Sequence, residues 1–184
     1  GTYEEIALQD IALSAVANLG WYTEALQPAG EREKHGNHIF GTFGTDFTTS
    51  DGRSVMITAI TRRQWQALVD STGMTAVVEA LQSALGIDLS QEEARYAQRE
   101  TLEALFKPWF AARTLDQVTA ELDGTAVLWA PYRSIGEVAR EAAGASAAGG
   151  SEGAGTGVIR GLASEQLGDM LVGANPIRFD GEYL

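Results

Sequence analysis

An α+β fold is predicted by three observations along the chain. The pair Asp51-Gly52 lies between two runs of strand-forming residues, hydroxyl-bearing caps open helices at four places, and a further short strand falls among the helices. The expected architecture is a β-hairpin plus further strand or strands, packed with about five to six helices. The 184 residues fit one or at most two domains. With 45% apolar and 21% charged residues, the chain can bury a sizeable core and is neither globally disordered nor fibrous.

Taken in order, residues 2–8 mix β-branched and aromatic types and predict a short strand. It runs into a long helix carrying Ile11, Leu13, Val16, Leu19 and Leu26 at helical spacing. Residues 27–37 are polar and punctuated by Pro28, Gly30 and Gly36, which predicts a loop. The hairpin follows, with strands over 46–50 and 55–60 joined by a tight type I′ turn at Asp51-Gly52.

A Ser or Thr whose hydroxyl caps free N–H groups, with Glu or Gln three residues on, marks a helix start. The pattern recurs at Thr61/Gln64, Ser90/Glu93, Thr114/Gln117 and Ser134/Glu137, each followed by apolar residues at helical spacing. Between the first two, residues 75–85 predict another helix, with Val77, Val78, Leu81 and Leu85 on one face and Gly86 as its stop. Residues 125–130 predict a strand ended by Pro131. Residues 142–157 are almost all Ala, Gly and Ser and predict a flexible linker or mobile loop. Beyond it, 167–172 and 176–179 predict two short strands joined at Gly173-Ala174-Asn175.

Charge and composition exclude several functions. There are 25 acidic and 13 basic side chains, a net charge of −12, and the pI is near 4.5. Such a chain repels phosphate backbones, and no local basic patch offsets this, so no nucleic-acid partner is expected. No apolar run approaches the roughly 18 residues of a membrane span, so no membrane partner is expected either. The absence of cysteine removes disulfides, thiolate zinc sites and thiol catalysis. A cytoplasmic location suits this composition, and no signal-peptide pattern is present. The chain begins without methionine, so Gly1 reads as an engineered boundary, a cleavage point or the start of a fragment.

The most suggestive motif is Gly36-Asn37-His38-Ile39-Phe40-Gly41-Thr42-Phe43-Gly44. Glycine lets backbone N–H groups approach a ligand closely and change conformation cheaply, so this loop could close over one. Physical reading alone favours an ordinary glycine-containing turn whose aromatics join the core. Gly153-Ala154-Gly155-Thr156-Gly157 lacks the lysine and preceding strand of a phosphate loop and reads as linker. His35 and His38 would need further ligands from elsewhere to hold a metal, and none is expected. Asp46 and Asp51 are expected to cap turns. Trp65, Trp109, Phe110, Trp129 and Tyr132 are expected in the core, and Glu92, Glu93 and Arg95 on a solvated helix face.

Several segments, in this order, resemble the family III CoA-transferases, the superfamily of formyl-CoA transferase and α-methylacyl-CoA racemase. They are residues 1–10, Gly36-Asn37, residues 40–47, and Asp51-Gly52-Arg53-Ser54-Val55-Met56. The tail from Gly173 to Phe179 is similar too, while Trp109-Phe110-Ala111-Ala112-Arg113-Thr114 and Trp129-Ala130-Pro131-Tyr132-Arg133 are most similar to the mesaconyl-CoA branch. In that branch CoA moves between two carboxylates of one 2-methylfumaryl unit, a net isomerisation.

The resemblance implies a C-terminal, small-domain portion. Residues 1–35 would be an opening strand and long connecting helix, 36–141 the small domain with its glycine loop and hairpin, 142–160 the Gly/Ala/Ser linker, and 161–184 a strand pair returning to the large domain. It implies an acyl-CoA substrate, with coenzyme A entering as a thioester and no separate cofactor. An aspartate outside this chain would attack the thioester to form a mixed anhydride. The chain itself would hold no catalytic residue, would be inactive alone, and would join an interlocked homodimer. The glycine loop would shield the anhydride from water, making Gly36, Asn37, Phe40, Gly41, Thr42 and Gly44 substrate-facing. The alternatives are a non-catalytic binding or assembly module and a racemase-like member.

Overall fold

The computed structural model describes residues 1–28, 30–147, 158–175, 177–179 and 182–183. Its centre is a three-stranded antiparallel sheet. Strand β1 (Phe43–Thr48) pairs with β2 (Ser54–Ala59), and β2 with a shorter strand at Leu128–Pro131. Phe43, Thr45 and Phe47 lie opposite Ala59, Ile57 and Val55, so the two-residue period of the strands puts all six on one buried face.

Helices cover that face. They are α3 (Arg62–Ser71), α4 (Thr75–Leu85), α5 (Glu92–Ala97), α6 (Arg99–Ala111) and α7 (Leu115–Leu122), preceded in the chain by α1 (Leu8–Asn18) and α2 (Trp21–Ala25). From α6, Leu102, Phe106, Trp109 and Phe110 enter the core. Phe47 stacks on Phe110 at 4.4 Å between ring centres, while Phe106 meets Phe43 at 5.7 Å and Trp65 at 5.9 Å. Each fully buried ring contributes on the order of 2 kcal/mol through removal from water. After the third strand, β3 (Leu128–Pro131), come α8 (Ile135–Ala147), β4 (Ile159–Ser164), β5 (Gly168–Gly173), β6 (Arg178–Phe179) and β7 (Glu182–Tyr183). The fold is α+β, as the sequence predicts.

Three of the four expected capping boxes form. Thr61 with Gln64, Thr114 with Gln117, and Ser134 with Glu137 each exchange side-chain and backbone hydrogen bonds. The fourth does not. The carboxylate of Asp88 accepts from both the Ser90 amide and the Ser90 hydroxyl at 2.8 Å, so Ser90 closes a turn and α5 starts after Gln91.

Other expectations are corrected. Residues 1–7 carry no regular structure, so the predicted strand over 2–8 is absent, and the long helix is broken after Asn18, where Gly20 adopts φ 76°. The hairpin turn is longer than a type I′ turn. Thr49 and Arg53 are paired through N–H and carbonyl at 2.8 Å, leaving Ser50-Asp51-Gly52 as a three-residue loop with Gly52 at φ 74°. The cause is polar: the Thr49 hydroxyl donates to Asp51 at 2.5 Å and accepts from the Arg53 amide. Asp51 also accepts from the Leu115 amide at the start of α7, and these hydrogen bonds, that from Thr49 foremost, hold its carboxyl below the ordinary range.

Arg95 does not lie on a solvated face. It is fully buried and donates to the carbonyls of Leu89, Ser90 and Ile60 at 3.0, 2.9 and 2.6 Å, with Trp65 beneath it. Burial pushes its guanidinium below the ordinary value, against the charges of Glu92 and Asp88. Trp129 is only partly buried and Tyr132 is half-exposed, whereas Trp65, Trp109 and Phe110 are core residues as expected.

Residues 142–147 of the expected linker belong to α8, and Ala142 is buried; residues 148–157 lie outside the described residues, as does the glycine-rich motif at 153–157. In the tail, β5 pairs back with β4 and β6 pairs with β7, so the two predicted strands do not pair with each other.

Candidate functional site

The loop between residues 35 and 44 is shaped by its glycines. Gly36 at φ 58° and Gly41 at φ 80° occupy the left-handed region that other residues rarely adopt. Gly44 needs glycine for space: a Cβ there would sit 2.6 Å from Ile39 Cδ1 and 2.9 Å from the Ile57 carbonyl oxygen. That close approach lets the Ile39 amide donate to the Gly44 carbonyl at 2.8 Å, closing residues 39–44 on themselves.

The six expected residues divide between surface and interior. Gly36, Asn37 and Phe40 are exposed and Gly41 is half-buried. Thr42 and Gly44 are buried, and the Thr42 hydroxyl donates to the Ala59 carbonyl at 2.9 Å. Asn37 donates through its side-chain amide to Asp46 at 2.8 Å, which ties the base of the loop to β1. The tip therefore offers Phe40, 49% exposed, and the backbone of Gly41, which carries no side chain.

Behind the tip lie residues that sequence reasoning did not single out. The Arg32 guanidinium stands 3.7 Å from the centre of the Phe40 ring and 5.2 Å from that of Trp21, and forms a two-point ion pair with Glu24. That bonding holds the Glu24 carboxyl below its ordinary range. Tyr96 meets Phe40 edge-on at 5.2 Å, and its hydroxyl lies 3.2 Å from the ring nitrogens of His35. His38 takes a different partner, Glu103, at 3.1 Å. The two histidines thus diverge, and among the described residues no group of three His, Cys, Asp or Glu could hold a metal ion. Arg32, Glu24, Tyr96 and Glu103 carried no signal beforehand; Tyr96 is 61 residues from His35, beyond the reach of any local pattern.

Chemically, this arrangement can cover and contact an apolar or planar group. Its carboxylates are engaged: Asp46 by Asn37, Glu24 by Arg32, Glu103 by His38. A surface groove of about 690 Å³ is lined by Arg62, Arg63, Gln66, Ala67, Asp70 and Ala126, and none of the loop residues borders it. Among the described residues no helix is long and apolar enough to cross a membrane.

Comparison with known proteins places these features in a family. The family model for CoA-transferase family III matches residues 4–181. The chain is 39% identical over 137 residues to 2-methylfumaryl-CoA isomerase of Chloroflexus aurantiacus, an alignment covering 74% of this chain and 34% of that protein. The chain thus spans about a third of the length of the curated relative it matches. With the match extending across the hairpin, its covering helices and the glycine loop, the chain belongs to CoA-transferase family III.

Proposed function

We propose that this chain is the C-terminal, small-domain portion of an acyl-CoA transferase, and that the assembled enzyme moves CoA between the two carboxylates of mesaconyl-CoA. The similarity to 2-methylfumaryl-CoA isomerase carries the reading. The loop geometry supports it, since a fastened turn with an exposed aromatic tip and fully engaged carboxylates suits a cover rather than a nucleophile. An aspartate outside this chain attacks the thioester carbonyl, releases CoA thiolate and leaves a mixed anhydride. The thiolate attacks the aspartyl carbonyl of the anhydride, freeing the first carboxylate and leaving an aspartyl-CoA thioester. The other carboxylate of the same unit attacks that thioester, releasing the thiolate and forming a second anhydride, and the thiolate then attacks the unit's own carbonyl and frees the aspartate. No group in this chain makes or breaks those bonds.

The loop's task is to keep water from the anhydride during the exchange. Phe40 and Gly41 face the acyl-CoA from the tip, Gly36 and Asn37 flank it, and Thr42 and Gly44 set the loop's shape. The enzyme works as a homodimer in the cytoplasm and needs no cofactor besides the CoA of its substrate.

The test is to join the chain to an aspartate-bearing large domain of the family and follow mesaconyl-CoA. Gly41→Val imposes a β-branched residue at φ 80°, and Gly44→Val drives carbon into Ile39 and the Ile57 carbonyl. Each is expected to lower turnover at least roughly tenfold, by displacing groups from reacting geometry, and to raise the hydrolysed share. Absence of CoA exchange with any acyl-CoA would sink the proposal, and an unchanged partition between transfer and hydrolysis would rule out the cover.

A further inference from the structure

We infer that Glu103 and Tyr96 are positioning residues for the glycine loop, holding His38 and His35 so that Phe40 and Gly41 keep their place at the acyl-CoA; the inference rests on the functional reading above. The loop is fastened on two sides of different kind. Asn37 to Asp46, Ile39 to Gly44 and Thr42 to Ala59 all join the loop to the hairpin that follows it. The helix side is distinct, because Tyr96 stands on α5 and Glu103 on α6, whose neighbours Leu102 and Phe106 are fully buried.

His38 shows that this second attachment is selective. Its side chain is 11% exposed and sets Nε2 3.1 Å from a Glu103 carboxylate oxygen, while Nδ1 is buried with no hydrogen-bond partner among the described residues. An apolar side chain would fill the same volume without the cost of an unpaired buried nitrogen. What the imidazole adds is a polar contact with a carboxylate on α6. Tyr96 makes the second contact at His35, five residues before Phe40, and touches both His35 and the Phe40 ring.

Two readouts test the idea with Glu103→Ala, Glu103→Gln and Tyr96→Phe. Glu103 is 33% exposed at its side chain, so its variants are expected to fold. In the 184-residue chain, ¹⁵N spectra report the His38 ring nitrogens and the amides of residues 36–42. E103A should move both sets; E103Q, whose side-chain oxygen can still face Nε2, should stay near wild type. Y96F should move His35 and Phe40 alone. In the assembled enzyme, E103A should raise the ratio of hydrolysis to transfer roughly tenfold, with E103Q restoring it. Unmoved loop amides in E103A, or an active E103A enzyme with the wild-type ratio, would overturn the inference. A wild-type assembly without CoA exchange would overturn the functional reading instead, and the spectra would then decide the loop's attachment by themselves.

Discussion

The helices α1 and α6 are written in the same code and end differently. Both carry apolar residues at helical spacing, yet α6 buries Leu102, Phe106, Trp109 and Phe110 while α1 buries nothing. Ile11, Leu13 and Leu19 of the N-terminal segment stay largely exposed, beside Trp21 and Tyr22 of α2. Periodicity states that a face is suited to burial; it does not state what buries it. For α6 the sheet of the same chain supplies the partner.

The comparison can be broken most forcefully at the centre. Arg95→Met keeps much of the side chain's volume but strands the carbonyls of Leu89, Ser90 and Ile60. A loss of about 3 kcal/mol is expected in urea unfolding, since buried acceptors lose their charged donor. A loss under about 1 kcal/mol would mean the guanidinium is a passenger in the core.

An intermediate effect is expected at the rim of the sheet, where Glu137 joins the α8 cap to Arg53. It accepts from the Ser134 amide at 2.7 Å and from Arg53 at 2.5 Å, which lowers its pKa from 4.5 to about 2. A depressed carboxylate stabilises the fold above its unfolded value, and that stabilisation fades as pH falls from 4.5 toward about 2. Thermal unfolding of Glu137→Gln should therefore depend less on pH in that window than wild type. Parallel curves for the two proteins would refute the assignment.

The smallest effect sharpens the comparison. Ile11→Ser and Leu13→Ser on α1 should change the stability of this chain by no more than about 0.5 kcal/mol. A larger loss in urea unfolding would show that α1 already has a packing partner here.

How much of this was legible follows from what each feature depends on. The hairpin, α4 with its Gly86 stop and the three capping boxes rest on neighbours within a few residues, and they were readable. Ser90 was misread because Asp88, two residues away, competes for the same hydroxyl. Arg95 was misread because the carbonyls that make its burial tolerable include that of Ile60, 35 residues away, and a charge run cannot announce it. In the loop, Gly36, Gly41 and Gly44 stood out, since glycine has a conformational signature. Arg32 did not, because no periodic pattern links it to Glu24, Trp21 and Phe40, and Tyr96 and Glu103 did not, because their roles exist only after α5 and α6 have docked.

The Asp51 carboxylate carries a consequence for the order of assembly. It organises its own turn through Thr49, two residues away, and receives the Leu115 amide from 64 residues away. The first link can form within the hairpin on the microsecond scale; the second must wait for closure of a long intervening chain. Asp51 is thus a local residue whose last bond is a late event. The turn of the hairpin acts as a landing mark for α7, in place before the helix that uses it arrives.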